Sequence, residues 1–369
     1  MRLTEVTLHP LRLEMVNPLK TARGTYGARE GFVVRLRDEE GRLGQGEAMP
    51  LQEFGTETPS DCERVLKSSL ERLRNPLPPS TPLPPGEGRG EGSEGPGLDL
   101  GSVGLSLRTP AARHAVEQAL LELQAKRQGI PLCQLLSAEA RARVHVNALL
   151  GAPSPEALAQ EAQRAVAEGY ETLKIKVAGR PLSEDIARLQ AVREAVGPAV
   201  RLRVDANGAW KESEAGAALE ALSAYGLELC EQPVAPEEYE ALARLSERAP
   251  CPLAADESLA IPEVLRVLLD RPSTVKVLVL KPMVLGGLLP TLAVAREAAS
   301  RGLEAYVTSS LDGVIARAGA AHLAAALPSG RYASGLGVGH LFKDEPGNHP
   351  FRPVRGRIEL PRIPGQGVS

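Results

Sequence analysis

From Val144 to Gly337 the chain repeats one pattern: a short apolar run, a polar residue at its end, then an amphipathic stretch rich in Ala, Leu, Glu and Arg. The runs are VHVNALLG, YETLKIKV, RLRVDANG, GLELCEQP, PLAADES, VKVLVLKP, LEAYVTSS and YASGLG. The polar residues Lys176, Asp205, Glu231, Asp256, Lys281 and Ser309 close six of them, at separations of 29, 26, 25, 25 and 28 residues. A strand, a helix and their two connections have that combined length, so each repeat returns the chain to the same end of a parallel sheet. Eight strand candidates predict a closed (β/α) barrel. An open doubly wound sheet would carry a glycine fingerprint after its first strand, and the sequence has none there.

Residues 1–135 read differently, as a small α+β domain preceding a barrel at 136–338, with 339–369 as a C-terminal segment returning to the first domain. Leu3 to Leu13 alternates, and GFVVRLRDEEGRLGQGEA reads as a hairpin closed by Asp38-Glu39-Glu40-Gly41. Between them NPLKTARGTYGARE shows no periodicity and is either a connector or a loop closing over a site. PSDCERVLKSSLERL predicts a helix with Ser60 or Asp61 as its N-cap, and a second helix starts at Thr109-Pro110 and stops at Gly129. From Pro76 to Gly97, 22 residues include 7 Pro and 6 Gly, which predicts a flexible surface insertion without a catalytic part. Its GEGRGEG is no phosphate loop, because no strand precedes it and no Lys-Ser/Thr follows.

Composition removes several function classes. With 43 Lys+Arg against 46 Asp+Glu, the net charge of −3 provides no basic field for nucleic acid or an anionic membrane. Aromatic residues make up 3%, too few for base-stacking platforms. Cys62, Cys133, Cys230 and Cys251 form no CxxC pair and read as buried thiols of a reducing compartment. No stretch approaches 18 apolar residues, and MRLTEVTLHPLRLEM lacks the apolar centre of a signal peptide, so the expected location is cytoplasmic. The six histidines form no cluster, His145 reads as an interior residue of the first strand, and GxSxG is absent, which disfavours a Ser-His-Asp hydrolase. GLGVG near Gly335 is either an anion-binding turn or a plain one.

A single Asp after a strand is more often a helix cap than a ligand. Three carboxylates ending three consecutive strands are another matter, since Asp205, Glu231 and Asp256 at one barrel mouth would repel without a cation among them. Oxygen donors without a nearby His or Cys suit a hard divalent ion, Mg²⁺ first and Mn²⁺ as a substitute. Lys174 and Lys176 are two apart and share a strand face, Lys281 stands across the barrel, and Arg203 shares a face with Asp205. Lys174 and Arg203 would lower the proton affinity of Lys176 and make it a base. The chemistry implied is removal of a proton α to a carboxylate, with the enediolate charge held by the metal.

Lys174-Ile175-Lys176, Asp205-Ala206-Asn207, Cys230-Glu231-Gln232-Pro233, Ala255-Asp256-Glu257-Ser258 and Lys281-Pro282 resemble, in order and spacing, the muconate-lactonizing subgroup of the enolase superfamily. GQGEAMPLQEFGTET and ALLELQAKRQGIPLCQLL extend the resemblance to the N-terminal part. It implies a (β/α)₇β TIM-like barrel with an N-terminal α+β capping domain and Mg²⁺ on Asp205, Glu231 and Asp256. It further implies Lys176 as general base, Lys281 as its partner across the site and Lys174 as auxiliary. Within the subgroup the chain resembles the o-succinylbenzoate synthase family, through Arg203 two residues before Asp205 and the run Thr308-Ser309-Ser310-Leu311-Asp312-Gly313. That implies a small carboxylate substrate of menaquinone biosynthesis, contacted by Ser309, Ser310, Gly313 and Asn207, and is compatible with a homo-oligomer. Dipeptide epimerases carry Asp-x-Asp near the eighth strand, where this chain has GLGVGHLFKDE. N-acylamino acid racemases share the lysines and stay open as an alternative, as does a barrel that binds without catalysing.

Overall fold

The computed structural model describes residues 2–21, 24–74, 100–343 and 350–368. The insertion expected at Pro76–Gly97 lies outside them. The chain opens with an antiparallel sheet of β1 (Leu3–Thr21), β2 (Gly24–Asp38) and β3 (Leu43–Ala48), in that order. Most of the aperiodic NPLKTARGTYGARE belongs to the far end of the β1–β2 ladder, where Leu19 pairs with Tyr26 and Thr21 with Gly24, while its residues 22 and 23 lie outside those described. A register shift between Glu14 and Leu19 interrupts the alternation, which is why the sequence hides the strand. The turn into β3 is fastened by Asp38, whose carboxylate accepts the N–H groups of Glu40 and Arg42 at 3.1 and 2.9 Å.

Helices α1 (Pro59–Arg74) and α2 (Pro110–Gln128) and the short α3 (Leu132–Leu136) follow. Thr58, not Ser60 or Asp61, caps α1: its hydroxyl accepts the Asp61 N–H at 3.1 Å. Pro59 has no N–H to leave unsatisfied, so it takes the first helical position and moves the cap one residue upstream. Gly46 brings β3 so close to α2 that a Cβ there would collide with the Ala115 carbonyl. Val34, Leu36, Cys62, Leu66, Ala119 and Leu123 form the core of this domain together with Met283 and Ala316 of the barrel, so the two parts share apolar packing.

The first barrel run divides in two. β4 (Arg143–His145) pairs antiparallel with the C-terminal β12 (Arg357–Glu359), and β5 (Ala148–Leu150) begins the parallel sheet. His145 is therefore exposed rather than interior, because its strand lies outside the barrel wall. The wall continues through β6 (Thr172–Lys176), β7 (Arg201–Asp205), β8 (Leu227–Glu231), β9 (Leu253–Ala255), β10 (Val277–Leu280) and β11 (Glu304–Val307), seven strands in chain order and all parallel. YASGLG closes the ring through two single bridges, Ser334 to Val146 and Gly335 to Thr308. Around the sheet run α4 (Pro155–Ala167), α5 (Leu182–Val196), α6 (Glu212–Ser223), α7 (Tyr239–Ser246), α8 (Pro262–Asp270), α9 (Pro282–Leu285), α10 (Leu288–Ser300) and α11 (Val314–Ala326).

Leu173, Ile175, Leu202, Val204, Leu253, Leu278 and Leu280 belong to the large core and are fully buried. Each such side chain contributes about 1.5–3 kcal/mol by leaving water. Leu229, Ala254, Val277, Val279, Tyr306 and Tyr332 form a separate cluster. The C-terminal residues meet the capping sheet, with the Lys343 N–H donating to Glu14 O at 2.8 Å and the Gln366 amide to Gln45 O at 3.0 Å. All four cysteines are buried and free. Among the described residues no helix is long and apolar enough to cross a membrane.

Candidate active site

The parallel register sets the site. Lys176 pairs with Asp205 and Asp205 with Glu231, so the last residues of β6, β7 and β8 stand side by side. Asp256 and Lys281 directly follow β9 and β10. Period-two alternation puts Leu173 and Ile175 on one face of β6, both fully buried, and Lys174 and Lys176 on the other. A cavity of about 90 Å³ is lined by Lys174, Lys176, Asp205, Asn207, Asp256, Lys281, Ser309 and Ser310, with Phe54, Asn147, Thr308 and Leu311 among the others. A larger cavity, about 530 Å³, shares only Leu149 and Gly337 with it and is lined by Arg164, Arg352 and Glu161 instead of the strand-end groups.

Ion pairs fill the mouth. Lys174 Nζ lies 2.8 Å from Asp205 Oδ2 and 2.6 Å from Glu231 Oε1, and Lys281 Nζ lies 2.5 Å from Asp256 Oδ1. Lys176 Nζ donates to Asn207 Oδ1 at 2.9 Å. Asn207 is held with φ at +46° by its own N–H and amide, which donate to Asp205 at 2.9 and 3.2 Å. Asn tolerates that left-handed backbone better than most residues. The Gln232 side-chain carbonyl accepts the N–H of Asp256 at 2.9 Å and so fixes the turn after β9.

Burial opposes the charge on Lys174, yet Asp205 and Glu231 outweigh it and hold this lysine well above its ordinary value. Lys281 is raised in the same way, against burial, by Asp256 and Glu257. Burial pushes Glu231 up, but Lys174 and the hydrogen bonds around it bring it down to about 2. Asp205 moves upward through burial, which Lys174 only partly offsets, with repulsion from Glu231 adding to it. Asp256 moves upward through burial despite Lys281, with repulsion from Glu257 and Glu231 adding to it. The Lys174 ammonium is thus engaged by two carboxylates, Asp205 and Glu231.

Two of the residues singled out from sequence lie elsewhere. Arg203 is fully buried outside the cavity: its guanidinium sits 4.6 Å from the Tyr306 ring centre and 5.4 Å from that of Tyr332, and pairs with Glu228 at 2.5 Å. Gly313 turns its N–H away from the cavity to Glu47 Oε1, at 2.6 Å. Ser309 and Ser310 do line the cavity, and their buried hydroxyls have no hydrogen-bond partner among the described residues. Sequence reasoning passed over Tyr306, whose hydroxyl donates to Glu231 Oε2 at 2.6 Å, and did not single out, within GQGEAMPLQEFGTET, Phe54, whose ring centre lies 5.0 Å from Lys281 Nζ. Strand periodicity offered Tyr306, which lies two residues before Thr308, whereas nothing regular in the loop before α1 marked Phe54.

Among the described residues no three carboxylate, imidazole or thiol groups converge at coordinating distance, since lysines stand between the carboxylates. The donor set nevertheless fits a hard divalent cation. Asp205, Glu231 and Asp256 supply only oxygen, and all three are buried, where ionised carboxylates need counter-charge.

A curled parallel sheet with carboxylates and lysines at its strand ends defines a class of barrel proteins whose chemistry sits at that mouth. Residues 157–369 match the family model described as enolase C-terminal domain-like, and the chain belongs to that enolase superfamily. An N-succinyl-L-Arg/Lys racemase from Bacillus cereus is 28% identical over 330 residues, 88% of this chain and 84% of its own. An o-succinylbenzoate synthase from Thermobifida fusca is 40% identical over 230 residues, 61% of this chain and 69% of its own. Among solved structures, a dipeptide epimerase from Enterococcus faecalis, complexed with Mg and the dipeptide L-Leu-L-Tyr, matches over 100% of both chains with a TM-score of 0.86 and 28% identity.

Proposed function

We propose that this protein is a Mg²⁺-dependent lyase that dehydrates 2-succinyl-6-hydroxy-2,4-cyclohexadiene-1-carboxylate to o-succinylbenzoate. The observation that carries the reading is the wall formed by Thr308–Leu311 and Gly335–Val338. It offers two unpartnered buried hydroxyls, Ser309 and Ser310, and no carboxylate. Such a wall suits the carbonyl and carboxylate of a succinyl group and leaves a substrate ammonium without a counter-charge. The 40% identity to a synthase supports the same choice.

Asp205, Glu231 and Asp256 would hold the cation, which offsets the negative charge that develops on the substrate carboxylate. Lys176, tethered by Asn207, takes the proton α to that carboxylate. The same ammonium then delivers this proton to the departing hydroxide on the same face, releasing water and an aromatic ring. Lys281 enters the cavity from the strand across the barrel and, as an ammonium, stabilises the enediolate. Phe54 and Leu311 keep water from the reacting carbons.

One observation favours a second reading. Lys176 and Lys281 line one cavity from two different strands, as racemisation of an N-succinylamino acid requires, and the Bacillus cereus racemase is similar over 88% of the chain. Assaying both substrates side by side decides between them. Dehydration with the higher kcat/KM is expected; efficient racemisation without dehydration would replace the first reading with the second.

A further inference from the structure

The turn that presents Ser309 and Ser310 is held from outside the barrel. Leu311 within it has φ at +61°, a left-handed conformation costly for a branched side chain and seen mainly where surrounding structure enforces it. Directly after it α11 begins, and its cap residue Gly313 provides no side chain to satisfy the first N–H groups. Glu47, on β3 of the capping domain, does so in its place. Its carboxylate accepts the Gly313 N–H at 2.6 Å and the Ala316 N–H at 3.2 Å, across 266 and 269 residues of chain.

Glu47 is 1% exposed and rigidly mounted, its own N–H donating to the Gln118 side chain at 3.2 Å and its carbonyl meeting His114 Nδ1 at 2.9 Å, both on α2. The approach is close enough that a Cβ on Gly313 would lie 2.7 Å from Glu47 Oε2. Arg29, on β2, reaches the other side of the turn. It contacts Leu311 O at 3.4 Å while anchored on Met49 O at 2.8 Å. Asp312, buried beside them, accepts the Ser310 N–H at 2.9 Å.

We propose that Glu47 is a positioning residue of the capping domain that fixes the Ser309–Gly313 turn and thereby sets selectivity for the succinyl group. The proposal deepens the reading of the reaction and rests on it for the identity of the substrate. Glu47 touches neither substrate nor cation, and acts by clamping the start of α11 so that the left-handed Leu311 keeps both serine hydroxyls in the cavity wall.

The test uses the full-length enzyme with Mg²⁺ and three variants: Glu47→Ala, Glu47→Gln and Gly313→Ala, the last disturbing the same contact from the other side at an ordinary backbone angle. Hydrogen exchange is followed at Gly313 and Ala316, together with KM, kcat and the Mg²⁺ dissociation constant. In Glu47→Ala, exchange at both amides is expected to accelerate at least tenfold and KM for the succinyl substrate to rise about tenfold. kcat should fall less than threefold, with Mg²⁺ affinity unchanged. Glu47→Gln should fall between it and wild type, and Gly313→Ala should reproduce the KM effect if the alanine at 47 prevents folding. Unchanged exchange at Gly313, or faster exchange with unchanged KM, would overturn the proposal. A wild-type enzyme inactive on succinyl substrates would instead fail the reaction assignment, while the exchange measurement still decides whether the clamp exists.

Discussion

Glu231 has a partner on each oxygen, Lys174 on Oε1 and Tyr306 on Oε2, and the two differ in what they can give up. A cation can replace the lysine as counter-charge, whereas the tyrosine hydroxyl, on a ring packed against Arg203 and Tyr332, stays to orient the carboxylate. Tyr306→Phe keeps the packing and removes only that hydrogen bond. Partners that orient a metal ligand are worth about 10–100-fold in affinity, so titration calorimetry should show Mg²⁺ binding weakened by that order. Unchanged affinity would remove Tyr306 from the account. The lysines should separate by role: Lys176→Ala abolishes dehydration, and Lys281→Ala slows it while leaving solvent deuterium exchange at the α carbon measurable on one enantiomer of a racemisable substrate. Exchange persisting on both enantiomers in Lys281→Ala would show that the two lysines do not act on opposite faces of the substrate.

At the scale of elements, the sequence revealed what repeats and concealed what depends on distant packing. The recurrence of polar residues after apolar runs located β6 to β11, because a buried parallel strand needs a continuous apolar run and its end reaches the mouth. The same rule read VHVNALLG as one strand and YASGLG as another. The first divides where β12 pairs with β4, and the second closes the ring by two bridges, both consequences of partners remote in sequence. The shift after Glu14 hid the end of the β1–β2 ladder. Arg203 was read as facing the chemistry because it shares a strand with Asp205, but two residues along a strand is also one layer deeper, and there it stacks on Tyr306. The Ser309–Ser310 element carries its own prediction. Replacing both serines by Leu should raise KM for a succinyl substrate at least tenfold with Mg²⁺ affinity intact, and a double variant with unaltered KM would show that the succinyl group binds elsewhere.

Across the whole molecule the capping domain and barrel are joined by buried carboxylates as well as by apolar packing. Glu117, on α2, accepts the N–H of Leu289 at the start of α10 and pairs with Arg113, each at 3.1 Å. Burial raises its carboxyl from 4.5 to about 7, with Arg113 opposing. Between those two values the folded protein keeps a proton that the unfolded chain has released, so this group's contribution to stability falls as pH rises through the interval. Glu117→Gln cannot ionise, and its melting temperature relative to wild type should climb from pH 5 to pH 7.5. A difference that stays flat would mean that Glu117 is ionised throughout. The central claim is that the strand-end lysines and carboxylates remove a proton α to a carboxylate with the help of a divalent cation. It is tested most directly by following o-succinylbenzoate formation from the cyclohexadiene substrate with purified protein, before and after EDTA. The account predicts turnover that EDTA abolishes, that Mg²⁺ or Mn²⁺ restores, and that Lys176→Ala and Asp205→Asn both lack; turnover unaffected by EDTA, or an Asp205→Asn protein as active as wild type, would contradict it.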